Sequence, residues 1–247
     1  MPELPEVESY AQVFTRHAVG RTIARVRVLD DRVLAIRKST LTKALVGRRF
    51  TRVRRHGKHL FAQAGDVWLR LHFGMSGDLT PGVERFARVV FEFDDGTCVA
   101  FDDMRLFGVV DLVRDPDEFI RERGLGPDPL AIGLREFRAR LAGKRGAIKA
   151  VLLSQEVIAG VGNLYADETL YRAGIHPRRT VDALSAAEVK AMFATLRRVL
   201  GDAIAGRRRG FMVEEREEGA RCPRCGGTIQ RAVAAGRTTY FCARHQA

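Results

Sequence analysis

Cysteine is scarce: the 247 residues hold four, and three of them lie beyond residue 220. A fold stapled throughout by disulfides is therefore excluded, and a reducing, cytosolic compartment is expected. No apolar run approaches the roughly 18 residues of a membrane span, so none is expected. The opening Met1-Pro2-Glu3-Leu4-Pro5-Glu6-Val7-Glu8 lacks the basic stretch and apolar segment of a secretory leader, and none is expected there either. There is no internal repeat and no low-complexity tract. Acidic residues are few relative to basic ones, 30 against 42, which leaves a net charge of +12. An excess of that size points to a polyanionic partner, most often nucleic acid. The length suffices for one large domain or two ordinary ones, each with its own core.

The opening is also chemically unusual. Removal of the initiator methionine would leave Pro2 as a secondary amine, which forms a charged iminium directly on an aldehyde or aldose carbon. An α-amino group titrates near 7.7–8.0 against about 10.4 for lysine, so at pH 7.5 up to roughly a third of the former is neutral. Glu3 stands beside it, where a carboxyl can act as general acid or base. Pro5 suits a first helical turn, Glu6 and Glu8 complement the positive helix end, and Val7, Tyr10, Val13 and Phe14 recur at helical spacing. A helix anchored at once to a core would hold Pro2 and Glu3 in place.

Up to about residue 115 the pattern is short and alternating, as in residues 22–28, 50–54, 67–71 and 88–93, with a hairpin turn at Asp94-Asp95-Gly96. Cys98, in an apolar strand-like run, reads as packing. From about residue 134 the spacing turns helical. Leu184-Ser185-Ala186-Ala187-Glu188-Val189 carries a capping box with a staple between Leu184 and Val189, and Met192, Phe193, Leu196, Val199, Leu200 and Ile204 continue the stripe. Asn163 is expected as an N-cap and Gly174 as a stop, and the glycines of Ile158-Ala159-Gly160-Val161-Gly162-Asn163 would offer backbone amides to an anion. At the far end, Cys222-Pro223-Arg224-Cys225 and Cys242-Ala243-Arg244-His245 are separated by sixteen residues that read as a hairpin. Three thiolates and one imidazole at that spacing predict one structural Zn2+ bound by Cys222, Cys225, Cys242 and His245. So short a segment has little core, and the metal would supply its folding energy.

With these motifs the chain resembles the formamidopyrimidine-DNA glycosylase and endonuclease VIII family of base-excision repair enzymes, nearer the formamidopyrimidine branch in its Pro-Glu-Leu-Pro-Glu-Val-Glu opening. The resemblance runs nearly end to end. It implies an α+β fold: an N-terminal β-sandwich with flanking helices over residues 1–115, a linker over 116–133, a helical domain with a helix–two-turn–helix over 134–206, and a β-hairpin zinc finger over 207–247. It further implies a monomeric enzyme of the bacterial cytosol and nucleoid, acting on double-stranded DNA that carries a damaged base or abasic site and lies in the cleft between the domains.

Position by position, Pro2 matches the family's nucleophile and Glu3 its catalytic acid. Lys58, in Arg55-His56-Gly57-Lys58-His59, matches the proton donor in β-elimination. Arg237, in Gly236-Arg237-Thr238-Thr239, matches the finger arginine that binds phosphate and supports δ-elimination. Asn163 and Lys149 match phosphate- and lesion-proximal residues, and Lys144 a DNA-contacting lysine. Met75, in His72-Phe73-Gly74-Met75-Ser76-Gly77, resembles the residue that fills the space of an everted base, with Arg105 and Phe107 as its partners. Eversion costs a few kcal/mol and needs such a wedge.

The chain also departs from the family's pattern. His245 replaces a fourth cysteine, Leu106 stands where a second basic residue is usual, and Phe86 where a DNA-contacting histidine is common. The stretch 206–221 is shorter than the loop that closes over 8-oxoguanine in the formamidopyrimidine branch. The implied activity is removal of oxidised bases of the formamidopyrimidine or 8-oxoguanine type through a Pro2 Schiff base, with strand cutting by β,δ-elimination. An endonuclease VIII-like enzyme for oxidised pyrimidines and a non-catalytic binder of damaged DNA remain open as alternatives.

Overall fold

The alternating segments of the first half form two four-stranded antiparallel sheets. In the computed structural model, which describes residues 1–212 and 216–247, the first sheet joins β1 (Ile23–Val28), β6 (Ala87–Phe93), β7 (Cys98–Asp103) and β5 (Gly77–Pro81) in that order. The second joins β2 (Phe50–His56), β3 (His59–Ala64), β4 (Val67–His72) and β8 (Val109–Val113). Apolar residues of both sheets meet in one core that holds Phe50, Leu60, Leu71, Phe91 and Phe101, the arrangement of a β-sandwich. Asp94-Asp95-Gly96 is the β6–β7 turn, with Gly96 at φ +80°, and Cys98 packs half-buried beside Ala87, Val90 and Ala100.

Helix α1 (Leu4–Ala18) closes the sandwich core. Its buried residues Leu4, Val7, Ala11, Phe14 and Ala18 follow helical spacing, and Phe14 meets Phe50 edge-on at 4.9 Å. Tyr10 and Val13, expected on the same face, are partly buried against that core. Pro5 sits in the first turn, where its missing amide costs nothing. Helix α2 (Lys38–Leu45) packs beside β1.

The stretch expected as linker is not structureless. Asp115 caps a helix, α3 (Pro116–Glu122), accepting from the Asp117 amide at 2.9 Å. Phe119 is buried there, with the Arg70 guanidinium over its ring. The chain divides into two compact units after Gly124.

The second unit, Leu125–Ala247, contains α4 (Leu134–Leu141), α5 (Ile148–Leu153), α6 (Asn163–Ala173), α7 (Ala186–Ile204) and the hairpin β9 (Ile229–Ala234) and β10 (Arg237–Cys242). Helices α6 and α7 pack together, and Phe137 of α4 stacks on Phe193 of α7 at 4.6 Å. Ser185 and Glu188 form the expected capping box, and Gly174 stops α6 in the left-handed region at φ +72°. The expected N-cap is displaced by one residue: Gly162 occupies the cap and Asn163 is the first helical residue, its side chain spent on a tertiary bond instead.

Candidate functional site

Glu3 is the N-cap of α1 and is almost fully buried, while Pro2 just before it is half-buried. A capping box holds this end: the Glu3 carboxylate faces the Glu6 amide, and the Glu6 carboxylate accepts from the Glu3 amide at 3.0 Å. The start of the chain is thus fixed to a helix whose other turns are core.

Lys58 lies at the tip of the two-residue turn between β2 and β3, where Gly57 takes φ +54°. The neighbouring Arg55, half-buried, is ion-paired at 2.5 Å with Glu8 of α1. That pair ties the helix bearing Pro2 and Glu3 to the hairpin bearing Lys58.

Met75, Arg105 and Phe107 are brought together by two adjoining loops. Gly74 packs so closely that a Cβ there would lie 2.4 Å from the Phe107 carbonyl. Met75 is 38% exposed and Phe107 55%, large values for apolar side chains, and the Arg105 guanidinium lies 5.0 Å from the Phe107 ring centre. Beneath them the fully buried Asp103 accepts from Ser76 Oγ at 2.6 Å, the Gly108 amide at 2.6 Å and the Arg105 amide at 3.2 Å. One carboxylate therefore clamps both loops, and Leu106 between them is forced to φ +59°. Sequence reasoning missed Asp103; its adjacency to Arg105 was the available signal.

It also missed His72. The His72 ring accepts the Gly74 amide at 3.3 Å, at the root of the Met75 loop, and stands 4.9 Å from the His59 ring. Burial, with His72 and Arg70 adding to it, pushes His59 down to about 2; burial, then Arg70 and Lys58, pushes His72 down to about 4. Both are neutral near pH 7.

In the second unit, Asn163 Nδ2 donates to the Thr238 carbonyl at 2.9 Å, beside the exposed Arg237 at the start of β10. Ala235 and Gly236, at φ +54° and +67°, make the tight turn that presents this arginine. Lys144 is exposed in the loop after α4. Lys149 differs from expectation. Its side chain is 0% exposed and ion-paired at 2.6 Å with Asp167, also 0% exposed. Lys149 Nζ donates to Thr239 Oγ1 at 2.6 Å and to the Thr238 carbonyl at 3.4 Å. The enclosed lysine holds the hairpin in this structure.

The four expected metal ligands converge, their donor atoms all within 4.8 Å of one another. Cys225 Sγ and Cys242 Sγ lie 3.5 Å apart, and Cys222 Sγ and His245 Nδ1 3.7 Å. Tetrahedral zinc with bonds of about 2.0–2.3 Å requires such separations. His245 Nε2 lies 3.2 Å from the Tyr171 carbonyl, which orients the ring and leaves Nδ1 for the metal. The Tyr171 hydroxyl lies 3.1 Å from Cys222 Sγ. The residues fit one structural zinc.

Residues 1–110 match the formamidopyrimidine-DNA glycosylase N-terminal domain, and residues 125–214 the formamidopyrimidine-DNA glycosylase H2TH domain. Residues 219–244 match the zinc finger found in FPG and IleRS. The formamidopyrimidine-DNA glycosylase of Paracoccus denitrificans is 38% identical, covering 98% of each chain. The chain belongs to the formamidopyrimidine-DNA glycosylase family.

Solved structures agree with that membership. The Lactococcus lactis member in complex with abasic-site DNA aligns at 28% identity with a TM-score of 0.90 over 99% of each chain. MutM in complex with DNA containing carbocyclic 8-oxo-G aligns at 29% identity with the same TM-score and coverage. Within the family frame, Pro2, Glu3, Lys58 and the Met75–Arg105–Phe107 group lie in the first unit, and Asn163, Lys149, Arg237 and the zinc ligands in the second. No helix among the described residues is long and apolar enough to cross a membrane. Of the stretch 206–221, Phe211 and Met212 are buried, Met212 in the cluster around Tyr171, Cys222 and Cys242, whereas Val213, Glu214 and Glu215 lie outside the described residues.

Proposed function

We propose that the chain is a bifunctional DNA glycosylase and abasic-site lyase acting on oxidised bases in duplex DNA. The observation that carries this reading is the start of α1: a proline in second position, next to a buried carboxylate that belongs to the helix cap. Once Met1 is removed, the Pro2 nitrogen attacks sugar C1′ and the damaged base departs. Protonation of the ring oxygen by Glu3 opens the sugar, giving an iminium between Pro2 and C1′. The iminium acidifies the C2′ hydrogen, and its loss expels the 3′ phosphate. A second elimination through C4′ expels the 5′ phosphate. Lys58, on the hairpin tied to α1 by Arg55 and Glu8, supplies the proton transfer of the first elimination. Arg237 steadies phosphate during the second. Met75, Phe107 and Arg105 fill the gap left by the everted nucleotide, and zinc secures the finger that carries Arg237.

We infer the lesion class from the stretch after α7. It is shorter than the loop that closes over 8-oxoguanine in the formamidopyrimidine branch and leaves fewer residues to cap that lesion, which favours formamidopyrimidines, with oxidised pyrimidines as the second class to test. The test is strand scission on duplexes bearing an abasic site, formamidopyrimidine, 8-oxoguanine, thymine glycol or dihydrouracil, with wild type, Pro2→Gly and Glu3→Gln. The expected result is scission of the abasic duplex by wild type, a loss of at least about 100-fold in either variant, and slower turnover of 8-oxoguanine than of formamidopyrimidine. Equal scission by all three proteins would overturn the assignment.

A further inference from the structure

A buried carboxylate governs the strand that carries the finger arginine. Asp167, on α6, is wholly enclosed and meets three groups from three parts of the second unit: Lys149 Nζ of α5 at 2.6 Å, Arg216 Nη2 at 2.7 Å and the Tyr240 amide of β10 at 3.3 Å. Lys149 carries the connection onward to Thr239 Oγ1, and Thr239 Oγ1 donates to the carbonyl of Arg237 itself at 3.1 Å. Asn163 and Lys149 both hold the intervening Thr238 carbonyl.

This hairpin has only two strands, and an isolated pair is marginal in water. Zinc grips its base at Cys242, and the tip at 235–237 is exposed. The Asp167 group takes the middle, at 238–240, where the outward amide and carbonyl of an edge strand would otherwise face no strand partner. Net stability is a poor reason for such a group, because an enclosed ion pair is often matched or exceeded by apolar residues of similar volume. What it supplies is a fixed position for the strand, two residues from a guanidinium that must meet phosphate.

We propose that Asp167 is the positioning residue for Arg237, acting through Lys149 and Thr239 without touching DNA. The proposal rests on the reading of Arg237 as a phosphate-binding residue. It deepens that reading by assigning its geometry to a specific carboxylate.

The test is a double-mutant cycle of Asp167→Asn and Arg237→Ala in the full-length, zinc-loaded protein. The readout is binding to a duplex with a tetrahydrofuran abasic analogue across 50–200 mM salt. Removing one phosphate contact lowers the slope of log affinity against log salt by about 0.9. Arg237→Ala is expected to do so, Asp167→Asn to do the same, and the double variant to go no further than Arg237→Ala. Zinc content and melting temperature are measured alongside. Because Asp167→Asn leaves Lys149 and Arg216 short of a counter-charge, Asp167→Leu combined with Lys149→Met and Arg216→Met is the second variant. It is expected to keep zinc and melting temperature and to lose the same slope. Additive effects in the cycle, or an unchanged slope in the Asp167 variants where Arg237→Ala lowers it, overturn the positioning role. An unchanged slope in Arg237→Ala itself overturns the reading of Arg237, and the positioning role with it.

Discussion

His59 and His72 face each other inside the second sheet, flanked by Arg70 and Phe119, and both are held neutral far below the ordinary imidazole range. In the unfolded chain each titrates near 6.5; in the folded chain protonation waits until about 2 for His59 and about 4 for His72. The unfolded state therefore binds more protons once the pH drops below about 6.5. Stability is complete above that value and declines steadily beneath it, at up to about 1.4 kcal/mol per pH unit for each group. A His59→Phe variant removes one of the two and keeps the aromatic packing. Urea midpoints at pH 7.5 and 5.0 should fall less for the variant than for wild type; equal falls would mean that His59 is not the source. The same sheet supports Lys58 and the root of the Met75 loop, so acid sensitivity and loss of DNA cleavage should emerge together.

At the level of elements, the zinc finger makes the most direct prediction. Its hairpin shares with Met212 and Tyr171 a small core that includes the ligand sulfurs, so the base of the hairpin loses its main hold once the metal is gone. Chelation should abolish binding to abasic DNA while the sandwich keeps its near-ultraviolet spectrum. His245→Cys should retain one zinc per chain, and His245→Ala should lose it; metal analysis after dialysis distinguishes them. The finger was legible beforehand because ligand chemistry imposes spacing on sequence. Helices α1, α6 and α7 were legible because caps and stops are local: Pro5, the Ser185–Glu188 box and Gly174 act within a few residues. The strands of the sandwich showed through alternation. Helix α3 did not, since a helix with two buried residues among charges resembles a linker until its packing on Arg70 is seen. The enclosed setting of Lys149 was not legible for a related reason. Its partner Asp167 lies on another helix, and nothing in the sequence near either residue says that they meet in the interior. Asp103 was hidden likewise, because clamping two loops depends on strands β5 and β7 being paired.

The whole molecule carries twelve excess positive charges. Long-range attraction brings duplex DNA in, and phosphate contacts offset the few kcal/mol of eversion. With about six such contacts, affinity for an abasic duplex should weaken roughly 10³-fold between 50 and 200 mM salt. A change smaller than tenfold would show that binding does not rest on this charge. The proposed reaction passes through one covalent event, and the most direct measurement is of that event. The protein is reacted with an abasic duplex under borohydride, digested, and its peptides are weighed. A single deoxyribose-derived adduct on the amino-terminal peptide beginning at Pro2, absent from Pro2→Gly, is the expected result. An adduct on a lysine peptide instead, or no adduct at all, would contradict it.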